Sequence, residues 1–349
     1  MPALASTLNP TLAFGHLTPD GVLDALESVG LRGDGRILQL NSYENRVFQV
    51  MLEDGRAVVA KFYRPGRWSD AQILEEHDFS LELATAEVPV VAPLPLELSH
   101  DGVRCGQSSR LDGVQQTLLH WSDGTHDHRV SVSAFLGGRD PNVESDADWV
   151  RLGRLMGRVH AVGRKRRFEH RLNLQGGLAQ AAIDTLLALD VVDLSLRSRW
   201  EAVAREAANA VARAFEQGPP LQTIRLHGDA HRGNLLERDG ALHLVDLDDA
   251  AQGPAVQDLW LFLDGQDPRS AQHQLHLLLS GYEDFADFDD SERRLIEPLR
   301  TLRVLRHSAW IAQRWEDPAF AQAFPSFGSP SHWADQLTQL QEQMERMGA

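Results

Sequence analysis

Between Arg225 and Leu247 the chain reads RLHGDAHRGNLLERDGALHLVDL, with Asp229, then Asn234 five residues on, then Asp246 at the end of an apolar run. Ile224 to Leu226 and Leu235 to Leu236 are short apolar stretches, Asp239-Gly240 is a tight-turn signal, and Ala241 to Val245 is a third stretch. The segment is therefore expected to form a loop, a hairpin and a carboxylate at the hairpin's end. An Asn carbonyl and an Asp carboxylate are hard oxygen ligands. They are a sufficient protein contribution for Mg²⁺, which keeps waters and substrate phosphates in its shell. With Asp229 as a second carboxylate able to accept a proton, the set suits phosphoryl transfer, which needs positioning and charge neutralisation more than covalent work by the protein.

A chain of 349 residues with 42% hydrophobic content can bury a large core, and two lobes are expected. The single Cys105 excludes an intramolecular disulfide. The first 13 residues lack the basic start and apolar run of a secretory signal, and no apolar stretch approaches membrane-spanning length, so a cytoplasmic location without membrane contact is expected. Fifty acidic against 34 basic side chains give a formal charge of −16, which argues against generic nucleic-acid binding. Arg164, Lys165, Arg166 and Arg167 are a local exception, read as cations complementing the negative end of the helix that precedes them.

Thr18-Pro19-Asp20 with Val22, Leu23 and Leu26 and then Gly30 predicts a short first helix. Ile37 to Leu40, Arg46 to Leu52 and Ala57 to Phe62, around an Asp54-Gly55 turn, predict an antiparallel meander. Ser69 with Gln72 is a capping box opening a helix through Leu83. Gln116 to His120 and Arg129 to Phe135 read as a further hairpin. Helical patterns follow at 149–162, 179–189, 197–215, 270–285, 291–315 and 333–347. The strand-rich part gives way to the helical part at Leu136-Gly137-Gly138. The expected architecture is α+β and bilobal: an antiparallel-sheet N-lobe over residues 1–137 that binds ATP, and a mostly helical C-lobe over 138–349 that carries the catalytic loop, metal site and acceptor site.

Lys61 closes the third predicted strand between apolar neighbours and is read as the lysine that grips nucleotide phosphates. Such a lysine needs a carboxylate. Glu76, in phase with Phe79 and Leu83, is the choice, and Glu75 the reserve. The turn from Asn41 to Arg46 occupies the place of a nucleotide-covering loop without containing a glycine, so the Ser42 hydroxyl, main-chain amides and Asn45 or Arg46 must do the work of a glycine-rich loop. His227 and His231 around Asp229 also permit a metal-hydrolase reading, which leaves Asn234, Lys61 and Glu76 without roles. His160 reads as a hydrogen-bonded core histidine. Asp258 reads either as a buried brace of the catalytic loop or as an exposed helix-start residue.

HGDAHRGN, VDLDDA and GPAVQDLW resemble the aminoglycoside phosphotransferase and choline kinase superfamily, a branch of the protein-kinase-like fold. LNSYENRVFQV, VAKFYRPGRW, ILEEHDFSLEL, VPVVAP, GGR and RWEDPAFAQAFP together resemble the bacterial stress response kinase A family of serine/threonine protein kinases, from about residue 40 to 325. The resemblance implies a proton acceptor at Asp229, Mg²⁺ ligands at Asn234 and Asp246, and an ATP-contacting serine at Ser42. Departures are visible as well. Where eukaryotic-type protein kinases carry a lysine, the second residue after Asp229 is His231; Asp246-Leu247-Asp248 stands in place of D-F-G, and no A-P-E segment follows.

These features predict an enzyme, a Mg²⁺-ATP-dependent kinase of Ser or Thr hydroxyls on a protein acceptor, itself included, acting as a monomer in a stress response. The rivals are a kinase of small alcohols such as an aminoglycoside, choline or homoserine-like compound, and a nucleotide-binding regulator without turnover. A protein acceptor predicts an open, acidic cleft in front of Asp229.

Overall fold

The computed structural model describes residues 14–98, 103–110, 113–265 and 267–348. Thr18 accepts a hydrogen bond from the Gly21 amide and Pro19 fills the first turn, which starts α1 (Pro19–Glu27). Its buried Val22, Ala25 and Leu26 pack on the inner face of the sheet, against Phe48, Val50, Phe62 and Val132. Strands β1 (Gly33–Leu40), β2 (Arg46–Leu52) and β3 (Ala57–Phe62) form the expected meander. Next comes α2 (Asp70–Thr85), opened by the reciprocal Ser69–Gln72 capping box, then β4 (Arg104–Arg110), β5 (Gly113–Ser122) and β6 (Asp127–Ala134). The six strands pair antiparallel in the order β1-β2-β3-β6-β5-β4, so β3, with Lys61, is interior. An interior strand has no open edge, so Lys61 is not a charge that merely blunts a sheet edge.

Strand β4 was not foreseen. Its sequence RCGQSSR carries neither apolar alternation nor β-branched residues, and pairing with β5 supplies what local propensity does not.

Helix α2 serves both lobes. Ile73 packs with Tyr63 and Leu118 under the sheet, while Phe79 and Leu83 join the core of the helical lobe. That lobe contains α3 (Asp146–Gly163), α4 (Gly177–Ala188), α5 (Arg197–Glu216), β7 (Ile224–Leu226), β8 (Leu235–Arg238), β9 (Ala241–Leu244), β10 (Ala251–Gly253), α6 (Gln257–Trp260), α7 (Pro268–Tyr282), α8 (Ile296–Ala312), α9 (Pro318–Ala323) and α10 (Pro330–Met347). The α+β, bilobal architecture expected from the sequence is the one adopted. Helices α3 and α7 touch backbone to backbone. A Cβ on Gly153 would lie 1.9 Å from the Leu278 carbonyl oxygen and one on Gly281 2.0 Å from that of Val150. A second core joins α4, α5, α8 and α10 around Trp200 and Trp333, whose rings meet edge to face at 5.4 Å.

Three of the four cations after α3 are spent inside the molecule: Arg164 on the Asp287 carbonyl, Arg166 on Glu82 (3.1 Å) and Arg167 on Thr223 (3.1 Å). Among the described residues no helix is long and apolar enough to cross a membrane.

Candidate active site

Two small antiparallel ladders frame the segment from Arg225 to Leu247. β7 pairs with β10, and β8 pairs with β9 around Asp239 and Gly240, both at positive φ. The Val245 amide donates to the Asn234 carbonyl (3.0 Å), so the hairpin brings Asp246 back beside the loop bearing Asp229. Asp258, fully buried at α6, accepts from the main-chain amides of His227 (2.7 Å) and Gly228 (2.8 Å). His160 adds its Nε2 at 3.1 Å, and the other nitrogen of its ring meets the Tyr282 hydroxyl at 3.0 Å. Asp258 is thus a buried brace of the loop bearing Asp229, and His160 is a core histidine. Gly228 lies at φ 87°, and a Cβ there would fall 2.0 Å from the Asp249 carbonyl oxygen, so the loop admits only glycine at that point.

The same geometry disposes of a His-based metal centre. The buried His227 ring donates from Nε2 to the Val245 carbonyl (2.9 Å) and accepts the Asp229 amide on Nδ1 (3.3 Å). His231 accepts the Gly233 amide on Nδ1 (3.0 Å) and approaches Asp229 with Nε2 (3.3 Å). Both rings are committed, and among the described residues no group of three or more His, Cys, Asp or Glu side chains is placed to hold a metal ion.

The Asp229 side chain is about 25% exposed at the cleft. Burial would raise its pKa, but the His231 ring and the Arg303 guanidinium, which pairs directly with Oδ1, hold it well below the usual carboxylate range. Asn234 donates its amide nitrogen to the Asp229 carbonyl (2.9 Å), which leaves its side-chain oxygen for a cation. Asp246 sits in the left-handed region (φ 63°, ψ 65°) with its side chain 57% exposed. A non-glycine residue in that region is strained and is held there by its surroundings. The free Asn oxygen and the exposed carboxylate are a hard-oxygen donor pair of the kind Mg²⁺ takes.

Lys61 lies 3.2 Å from Asp246 and 2.9 Å from Asp248. Burial penalises its ammonium, yet Asp248 and Asp246 more than offset that and hold its pKa well above the ordinary lysine value. Glu76 is buried, as its helical phase predicted. Among the described ion pairs it has no direct contact with Lys61; its carboxylate takes the Ser80 hydroxyl (2.9 Å), and burial pushes its pKa up. Glu75 points elsewhere and accepts the backbone amides of Glu169 (2.6 Å), His170 (2.8 Å) and Arg171 (2.9 Å), tying α2 to the segment after α3.

The residue that gathers this side of the site is Asp248, absent from the sequence-based assignment. Buried beneath Lys61, it also receives the Arg67 guanidinium and the Asn45 amide (3.2 Å). Arg171 caps the same turn through the Asp248 and Ala250 carbonyls. The third position of Asp246-Leu247-Asp248 was the available signal, since a carboxylate there needs cationic partners if it is buried. Those partners are remote in sequence.

Ser42 lines a cavity of about 590 Å³ together with Leu40, Asn41, Arg46, Ala319 and Gln322. Asn45 links this loop to the Lys61 group, donating to Asp248 and accepting the Arg64 amide (3.1 Å). Glu44 reaches Arg64 (3.1 Å) and Arg314 (2.6 Å), and Asp317 takes Arg64 (2.6 Å), so the loop is tied down onto α8 and the start of α9. The face of α8 that approaches Asp229 carries Arg303, with Arg306 one turn on. The acidic surroundings expected for the acceptor are replaced there by cations.

Residues 36–296 match the profile of a phosphotransferase enzyme family. Stress response kinase A of Escherichia coli (strain K12) is 39% identical over 338 residues, covering 96% of this chain and 95% of that protein. A protein named serine/threonine protein kinase RdoA from Salmonella typhimurium (strain LT2) is 40% identical over 332 residues, covering 95% and 93%. Among solved structures, an amicoumacin kinase in complex with AMP-PNP, Ca²⁺ and its ligand superposes with TM-score 0.69 at 17% identity, covering 94% of this chain and 93% of the other. A microcompartment-associated aminopropanol kinase gives 0.66 at 17%, covering 94% and 98%.

Proposed function

This chain belongs to the stress response kinase A group within the phosphotransferase enzyme family, and from that premise we propose that it transfers the γ-phosphoryl group of Mg²⁺-ATP to serine or threonine hydroxyls of proteins, itself included. The setting would be a cytoplasmic stress response, with residues 1–137 as the ATP-binding lobe. The observation that carries the reading is the convergence of Asp229, Asn234, Asp246 and Lys61 on one cleft from two lobes.

Asp229 orients the acceptor hydroxyl and accepts its proton. Held far below the usual carboxylate pKa, it stays ionised but is a weak base, which suits a loose transition state in which the hydroxyl proton leaves late. Asn234 and Asp246 would hold Mg²⁺, which when bound neutralises charge on the phosphate oxygens. Lys61, now neutralised by Asp246 and Asp248, supplies a fixed cation for the nucleotide phosphates, and the Ser42 loop covers them. Glu76, buried beside this cluster, favours the charged ammonium at a distance.

The test is to incubate the pure protein with Mg²⁺ and labelled ATP, then to follow label into the chain, an added protein and a panel of small alcohols. Phosphoserine or phosphothreonine is expected, and Asp229→Asn is expected to lower transfer by about 10² to 10⁴ while nucleotide binding persists. Label entering only a small alcohol would move the assignment to a small-molecule kinase.

A further inference from the structure

Helix α8 carries arginines at 300, 303 and 306, three residues apart. Arg300 has an intramolecular role, beside Glu297 (3.8 Å) and over the Trp260 ring (5.4 Å). Arg314, just beyond the helix, is spent on Glu44 (2.6 Å). Arg303 and Arg306 differ from both. Among the described residues Arg303 pairs only with Asp229, the carboxylate assigned above to the incoming hydroxyl. Arg306 is exposed as a residue, its guanidinium is within electrostatic reach of Asp249 and Asp229, and it has no hydrogen-bond or ion-pair partner among the described residues. The protein around it strips enough water from its guanidinium to lower its pKa, with Asp249 and Asp229 opposing that and Arg303 and Arg67 adding to it. A guanidinium in such surroundings, its planar fork unused, is a ready receptor for carboxylate or phosphate.

We propose that Arg303 and Arg306 form an acceptor-reading subsite that binds an anionic group carried next to the acceptor hydroxyl, so that the enzyme selects serine or threonine flanked by acidic residues. The inference rests on the protein-kinase reading above. It also assigns a sequence of events to Arg303. Its guanidinium neutralises Asp229; an acidic acceptor offers a competing carboxylate, draws Arg303 away and frees Asp229 Oδ1 for the hydroxyl. The net charge of −16 does not oppose this, because exposed charges more than about 8 Å apart are largely screened at physiological ionic strength, and Asp229, the carboxylate that meets the acceptor hydroxyl, is itself paired with Arg303. Lys61 and Arg67 do not compete for the role, being paired to Asp246, Asp248 and Asp249.

The experiment uses the full chain, Mg²⁺-ATP and three serine peptides that differ only in flanking residues, which are acidic, alanine or arginine. The wild type is expected to favour the acidic peptide over the alanine peptide by about tenfold or more in kcat/KM, the effect of one well-formed charge pair in a cleft. Arg303→Ala and Arg306→Ala should each lower kcat/KM on the acidic peptide at least about tenfold more than on the alanine peptide. Arg306→Glu should shift preference toward the arginine peptide, a reversal that mere loss of structure cannot produce. Mg²⁺-ATP affinity, read by thermal shift, should be retained in all three variants. Equal losses on all peptides together with weakened Mg²⁺-ATP binding would place the arginines on the nucleotide and overturn the proposal. Wild-type label on all peptides without charge preference would overturn it while leaving the protein-kinase reading intact. Label on no peptide and no protein would remove that reading and the subsite with it.

Discussion

On the helical side of the cleft, Asp258 spends its carboxylate on two main-chain amides and one imidazole, all within a single lobe. Where the helical lobe faces the sheet, the buried carboxylates of Glu44, Asp317 and Asp248 are met chiefly by side chains, mostly guanidinium groups, and many of these pairs cross between lobes, Asp317 taking the Ala319 amide (3.0 Å) as well. The two solutions have different consequences. Only proline removes a main-chain amide, so losing the carboxylate leaves both amides unmet, and the loop bearing Asp229 depends on these hydrogen bonds. A buried ion pair draws little net stability from its attraction after desolvation, and both partners can be exchanged together. Cross-lobe pairs can also be remade, whereas the main chain of the loop bearing Asp229 is held by contacts within one lobe.

The largest expected effect breaks the comparison if it is wrong. Asp258→Leu should cost roughly 3–5 kcal/mol, because it strands two buried amides and the His160 ring. Adding His160→Leu should recover little of that, since the amides of His227 and Gly228 remain unmet. On the other side, Glu44→Leu alone should cost roughly 2–4 kcal/mol, and the Glu44→Leu/Arg314→Leu double variant should regain more than half of it, Arg64 keeping Asp317 as partner. Urea unfolding of the four variants decides the matter. Equal recovery in both pairs would erase the distinction.

A smaller effect sharpens the sheet side. Lys61 touches Asp248 and has no direct contact with Glu76 among the described ion pairs. A double-mutant cycle for Lys61→Ala with Asp248→Ala should therefore give a coupling of about 1–3 kcal/mol, and one with Glu76→Ala clearly less. A larger Lys61–Glu76 coupling would restore the pair expected from the sequence.

How much of this was legible in the sequence divides along the same line. The meander, the Ser69 capping box and the loop–hairpin segment are local patterns, and their elements lie where propensity and turn chemistry place them. The brace at Asp258 was also readable as one of two options, because a carboxylate beside Leu259-Trp260 at a helix start is either exposed or turned onto amides. The cleft chemistry was not. Arg67 meets Asp248 across 181 positions and Arg303 meets Asp229 across 74, and no periodicity encodes such pairings. Glu75 and Glu76 are adjacent on α2 and so point about 100° apart, onto different faces. What Glu75 would touch depended on how the segment from Glu169 to Arg171 passes α2, which only the fold decides.

The smallest expected effect asks how many amides a buried carboxylate needs. Glu292, nearly inaccessible, accepts one main-chain amide, that of Val256 at 2.9 Å, just ahead of α6. Burial pushes its pKa up to about 7; the Val256 amide pulls the other way without prevailing, and the nearby Asp289 adds to the rise. A carboxyl whose folded pKa is raised binds more protons in the native state than in the unfolded one. Its contribution to stability is then fully present below the unfolded value near 4.5 and is lost as pH rises through about 7. Between pH 6 and pH 8 that loss amounts to about 1 kcal/mol. Glu292→Gln keeps an oxygen for the Val256 amide and removes the titration, so it should flatten the pH dependence of unfolding over this window and exceed the wild type in stability at pH 8. Chemical denaturation at pH 6, 7 and 8 measures it. A variant less stable than wild type at pH 8 would mean that Val256 requires a charged acceptor, and that a single amide outweighs burial.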